Sequence, residues 1–154
     1  MFGHTHEQYF SIASARDNNP MHVSQIGPSA TSHEYRNPGY AVLHIDRETL
    51  LPLNYQVYSL DIELEDPEWT LTIDYVKDYN LTDVSPASMQ KLAERLREDE
   101  SLARLFTWNE SRNVGWPPEF CDKACRRALF CRVSTSETVD HAACMHEKPG
   151  NLFD

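Results

Sequence analysis

The sequence predicts an α+β fold, on three observations. Period-two apolar patterning is confined to residues 21–64, helical spacing takes over from Asp66, and four cysteines cluster in the last quarter of the chain. With 154 residues, 40% of them apolar, the chain is long enough to bury a modest core, which excludes wholesale disorder. No internal repeat or low-complexity tract interrupts it.

The strand half comes first. The segments HVSQIGPSA, GYAVLHID and LNYQVYSLDIEL are separated by Gly27-Pro28, Asn37-Pro38-Gly39 and Pro52, residues that end or bend strands. Tyr40, Val42, Leu43 and Ile45 are β-formers, and Asn54 to Tyr58 alternates polar with apolar. Such strands with long loops would leave both sheet edges open.

The helical half follows. Asp66-Pro67-Glu68 reads as an N-cap, an N1 proline and an acidic first turn, leading Trp69, Thr72, Ile73 and Val76 along one helical face. A second start at Ser85-Pro86 leads Met89, Leu92, Ala93 and Leu96. Leu102, Leu105 and Phe106 mark a third helix, and Trp116-Pro117-Pro118 breaks the chain before a fourth near Phe120 to Phe130. The Lys91 to Glu98 charges form a solvated face, and Trp69, Trp108 and Trp116 are expected to anchor these helices against the sheet. The predicted division is residues 1–65 and residues 66–154.

Charge narrows the partners. With 24 acidic against 14 basic residues the net charge is −10, so the chain carries no electrostatic footprint for nucleic acid or anionic membrane. Protonating all seven His would relax −10 to −3, which suits an acidic compartment. No run approaches the roughly 18 apolar residues of a membrane span. The start, MFGHTHEQYF, has neither a basic n-region nor an apolar h-region, so no signal peptide is expected in this chain.

The most chemical segment is Gly3-His4-Thr5-His6. Glycine lets the backbone bend before two imidazoles that can reach different places, and neutral imidazole is a good zinc ligand. On residues alone, a surface turn or a tag remnant is the bland alternative. Glu7 reads either as an exposed turn carboxylate or as a partner orienting an imidazole. Asp46 and Asp61 sit near strand ends with no acid–base pairing.

Phe2-Gly3-His4-Thr5-His6, followed by Gly27-Pro28-Ser29-Ala30-Thr31 and Asn37-Pro38-Gly39-Tyr40, closely resembles the last segment of the metallophosphoesterase domain in acid sphingomyelinases. Those enzymes are calcineurin-like phosphoesterases. The resemblance implies that residues 1–65 are terminal strands of a metallophosphoesterase β-sandwich and residues 66–154 a small disulfide-bonded helical domain. It further implies that His4 binds one zinc and His6 the other, with Ser29, Thr31 and His33 bordering the substrate cleft. His33 stands where the family suggests an aromatic headgroup contact.

Cys121, Cys125, Cys131 and Cys144 allow three pairings, and their spacing with His141 and His146 nearby leaves zinc or reduced thiols as further readings. The resemblance implies the bridges Cys121–Cys125 and Cys131–Cys144, hence an oxidising compartment, secreted or lysosomal. Two sequons, at Asn80 and Asn109, agree with a glycoprotein.

The remaining family motifs, an Asp-x-His, a Gly-Asp, a Gly-Asn-His-Glu and a further His, do not occur here. Two catalytic zinc ions need on the order of six protein ligands, and this chain supplies two. The expectation is therefore the C-terminal fragment of a zinc-dependent sphingomyelin phosphodiesterase, one that cleaves sphingomyelin or a related phosphodiester to ceramide and phosphocholine. Alone it should be inactive and bind no stoichiometric zinc, its natural partner being the missing N-terminal half. The alternatives are a noncatalytic binding domain, with a strand donor completing the open edge, or a relic gene product.

Overall fold

The computed structural model describes residues 6–15, 19–32 and 36–146. The strands are β1 (Tyr9–Ser14), β2 (Pro20–Ile26), β3 (Gly39–Ile45), β4 (Pro52–Leu60) and β5 (Trp69–Asp74). The helices are α1 (Tyr75–Asp78), α2 (Pro86–Glu98), α3 (Glu100–Glu110), α4 (Lys123–Ser134) and α5 (Thr138–His146). Antiparallel β1–β2 forms one sheet and the antiparallel meander β3–β4–β5 a second, so the α+β expectation holds.

Strand β1 escaped the sequence reading although its pattern is plain. Phe10 and Ile12 point inward from a run whose other residues are half-buried or exposed, the alternation of a strand with one covered face. The opposite error came after Asp66. Trp69 to Asp74 is strand β5 rather than the start of a helix, and helix begins only at Tyr75. Aromatic and β-branched residues fill Trp69-Thr70-Leu71-Thr72-Ile73, and β4 offers an edge on which Ile73 pairs with Val57. A register shift between Val57 and Tyr58 lets Thr72 donate to the Val57 carbonyl at 3.1 Å while accepting from Ser59 at 3.1 Å. The second sheet thus continues past the expected junction at 65/66.

Helices α2 and α3 form as their spacing predicts. Ser85 caps α2 ahead of Pro86, and Met89, Leu92, Ala93 and Leu96 are buried on one face. Asp99 ends α2 and caps α3 by accepting from the Leu102 amide at 3.0 Å, which turns the chain within one residue. Asp122 caps α4 through Cys125 N at 2.9 Å, after the proline break. Helix α5, absent from the sequence reading, buries none of its side chains.

The core joins both sheets to the helices. Phe10 meets Phe106 edge-on at 5.8 Å, and Tyr55, Tyr75, Tyr79 and Phe106 continue as successive ring contacts of 5.3, 5.0 and 5.8 Å. The tryptophans do not perform this anchoring. Trp116 is 92% exposed, and Trp69 is 48% exposed on the outer face of the second sheet beside Tyr40. Trp108 donates its indole N–H to Gly115 O at 3.3 Å. Tyrosine and phenylalanine take the interface because β1, β4 and α3 carry them inward.

Both expected bridges are present, Cys121–Cys125 with Cα atoms 5.2 Å apart and Cys131–Cys144 with 5.7 Å. The second holds α5 to α4, assisted by Arg127 donating to Cys144 O. Replacing Cys131 and Cys144 together by Ala should cost about 2–4 kcal/mol and release α5. Urea denaturation measures the first, and faster amide exchange confined to Thr138–His146 would report the second.

Candidate metal-binding segment and its supports

The described part of the His-x-His segment begins at His6, whose φ of 57° lies in the left-handed region. A non-glycine residue stays there only where its surroundings hold it. Two contacts do so. Arg112 Nη1 donates to the His6 carbonyl at 2.9 Å, and His6 Nδ1 lies 3.3 Å from Thr31 Oγ1.

Thr31 is itself fixed. Its amide donates to Ser29 Oγ at 3.1 Å and its hydroxyl lies 2.8 Å from the same oxygen, closing a Ser/Thr turn after the Gly27-Pro28 bend. The structure therefore brings together His6, Ser29 and Thr31 from the sequence-predicted set. His4 and His33 lie outside the described residues. Among the described residues no group of three or more His, Cys, Asp or Glu is arranged to hold a metal.

Arg112 is the residue the sequence reading missed. It follows α3 with φ 58°, is 0% exposed, and donates Nε to Asn37 O as well as Nη1 to His6 O. Asn37 returns the contact through Nδ2 to Arg112 O at 3.4 Å. Nη2 is a buried donor without an acceptor among the described residues. Burial, with Arg36 nearby, pushes the guanidinium pKa down to about 10, which leaves it charged at neutral pH. Gly39 makes room for it. A Cβ there would stand 2.6 Å from Arg112 Cδ and 2.9 Å from Pro28 Cβ, so the turn residue read from Asn37-Pro38-Gly39 is also a packing requirement.

A second network flanks the first. Glu7 pairs with Arg36 at 3.0 Å and with Arg132 of α4 at 3.7 Å, and Arg132 also binds Glu110 of α3. Glu7 is thus a bridge to the helices rather than a free turn carboxylate. Burial pushes Glu110 up to about 7, with Arg132 opposing the shift. Asp46 and Asp61 cap turns, Asp46 accepting from Thr49 N at 2.7 Å and Asp61 from Glu63 N at 3.1 Å. Of the two sequon asparagines, Asn80 is exposed. Asn109 is 3% exposed, with Nδ2, the atom that would carry a sugar, donating to Tyr79 Oη at 2.8 Å.

These features define a class: an α+β chain with a histidine, His6, held by hydroxyl and guanidinium supports, beside a disulfide-bonded helical region. No family model matches the chain. It is 27% identical to sphingomyelin phosphodiesterase 2 of Caenorhabditis elegans over 94% of its length and 30% identical to sphingomyelin phosphodiesterase A of Dictyostelium discoideum over 86%, covering 25% and 24% of those proteins. A cyclic GMP-AMP phosphodiesterase of Rattus norvegicus is 24% identical over 94% of the chain, which covers 35% of that protein. The chain is a homologue of the sphingomyelin phosphodiesterases and the acid sphingomyelinase-like phosphodiesterases, matching their C-terminal portion. It spans about a quarter of the length of the sphingomyelin phosphodiesterases it matches. No helix among the described residues is long and apolar enough to cross a membrane.

Two outcomes test this architecture. Gly39→Ala should lower stability by about 1–3 kcal/mol, because both close neighbours must shift, and the denaturation midpoint reads it. The second concerns pH. Glu110 binds its proton more tightly when folded, so its contribution to stability is full below about 4.5 and falls as pH rises through about 7. Glu110→Gln should flatten that part of the stability profile. An unchanged slope between pH 4.5 and 7 would show that another group carries it.

Proposed function

We propose that this chain is the C-terminal part of a zinc-dependent phosphodiesterase acting on sphingomyelin, with His4 and His6 each contributing to one of two metal sites. The observation that carries the reading is the meeting of His6 with Ser29 and Thr31, three residues of the family resemblance that lie up to 25 positions apart. The names of the homologues supply the substrate class.

His6 fits part of a zinc site. In the tautomer whose Nδ1–H donates to Thr31 Oγ1, Nε2 keeps the lone pair a metal needs, and the left-handed bend sets the course of the backbone at His6. Zinc, once bound, would polarise the phosphoryl group and supply a hydroxide at neutral pH. The chain's own residues orient an imidazole and border the cleft, while the other ligands come from the portion that precedes this one in the relatives. The exposed apolar residues of the second sheet, Tyr40, Val42, Trp69 and Leu71 among them, support a chain that belongs to a larger protein. A secreted or lysosomal site agrees with the two disulfides, and Asn80, being exposed, is the better glycan acceptor of the two sequons.

The test is reconstitution. The chain should hydrolyse no sphingomyelin by itself, and co-expression with a preceding portion carrying the other metal motifs should give hydrolysis that a chelator abolishes and zinc restores. His6→Ala in the joined protein should remove it. Turnover by the isolated chain, or an inactive joined protein that holds two zinc ions, would overturn the reading. Cyclic GMP-AMP hydrolysis without sphingomyelin hydrolysis would move the substrate class to nucleotides.

A further inference from the structure

The end of α3 and the His-x-His segment are far apart in sequence, yet a single buried side chain joins them. We propose that Arg112 is a positioning residue for the metal-binding segment: its planar fork fixes the peptide plane after His6 and the turn at Asn37, and so sets the direction of the His6 imidazole. The proposal rests on the metal-binding reading of His6 for its consequence, but its geometry is independent of any metal.

Three features argue for positioning beyond space filling. Guanidinium donors leave Arg112 toward two carbonyls in different segments, at His6 and Asn37, across 106 and 75 residues of sequence. A planar fork holds two acceptors in a defined relation, which a flexible ammonium does not. One acceptor lies where the backbone needs holding, since His6 is in the left-handed region, and the other, Asn37, lies in the loop that leads into β3. Gly39 is bare on the side facing Arg112 Cδ, so the fold makes room for this side chain at the expense of a Cβ. The turn is further tied to the substrate-bordering segment, because Gly39 N donates to Ser29 O at 2.8 Å. Arg112 therefore sets His6 directly and the Ser29–Thr31 turn through Gly39. It touches no described metal-ligand side chain and acts on His6 only through the main chain.

The experiment compares the wild-type chain with Arg112→Lys, which keeps the charge and loses the fork. In isotope-labelled chain, the His6 imidazole and the His6 and Thr31 amide resonances should shift and broaden in the variant, while those of α2 stay in place. Unmoved His6 and Thr31 resonances in a folded variant would overturn the proposal. If the variant does not fold, the wild-type protein decides. The Arg112 side-chain N–H signals should be protected from exchange and coupled to the His6 carbonyl carbon, and rapid exchange there would overturn it equally.

In the protein joined to its preceding portion, Arg112→Lys should weaken zinc binding by about 10-fold or more, with little change in KM. An inactive, zinc-free joined wild type would sink the metal reading, and the resonance comparison would still settle whether Arg112 positions the segment.

Discussion

A guanidinium with no exposed surface governs how this chain closes. Taking Arg112 out of water is costly unless its donors are met, and Nε and Nη1 are met by carbonyls of Asn37 and His6 that no local structure would bring near. Meeting them forces the end of α3, the entry to β1 and the turn before β3 to converge on one point. The left-handed backbone at Arg112 and Asn113, at 58° and 61°, is part of the cost of aiming that side chain at His6 and Asn37. Gly39 is the complementary concession on the sheet side.

Around this clasp the charges form a chain from the His segment into the helices. Glu7, one residue past His6, reaches Arg36 and Arg132, and Arg132 reaches Glu110 while its guanidinium stands 5.1 Å over the Tyr9 ring. Helix α4 therefore bears on the segment around His6 through Glu7, and the Cys131–Cys144 bridge carries the connection to α5. The helical region is more than an appendage. It supplies the cations that hold the histidine segment, one from the end of α3 and one from α4.

What could be read in the sequence was local in origin. Ser85-Pro86 and the spacing of Met89, Leu92, Ala93 and Leu96 identify α2 because a cap and a periodic face lie within 12 residues of chain. Trp69 to Ile73 misled because its apolar positions also satisfy a helical period. The choice went to β5 through pairing with β4, an interaction absent from the segment itself. Helix α5 had no buried face to announce it and is held by a disulfide. Among candidate site residues, His6, Ser29 and Thr31 were legible as family motifs. Arg112, Arg132 and Glu110 carried no signal, since a charged residue near a helix end ordinarily faces water.

The sequence by itself determined the α+β class, the presence of helices α2 to α4 with the Ser85 cap of α2, the resemblance of its histidine and cysteine motifs to sphingomyelin phosphodiesterases, and the acidic balance. Each depends on composition or on residues close along the chain. Tertiary structure alone decided that Trp69 to Asp74 pairs as a strand, that Asn109 is enclosed against Tyr79, and that Arg112 donates to the His6 carbonyl. Those outcomes depend on hydrogen-bond partners that are remote in sequence. A buried polar group takes whichever acceptor the assembled core brings within reach.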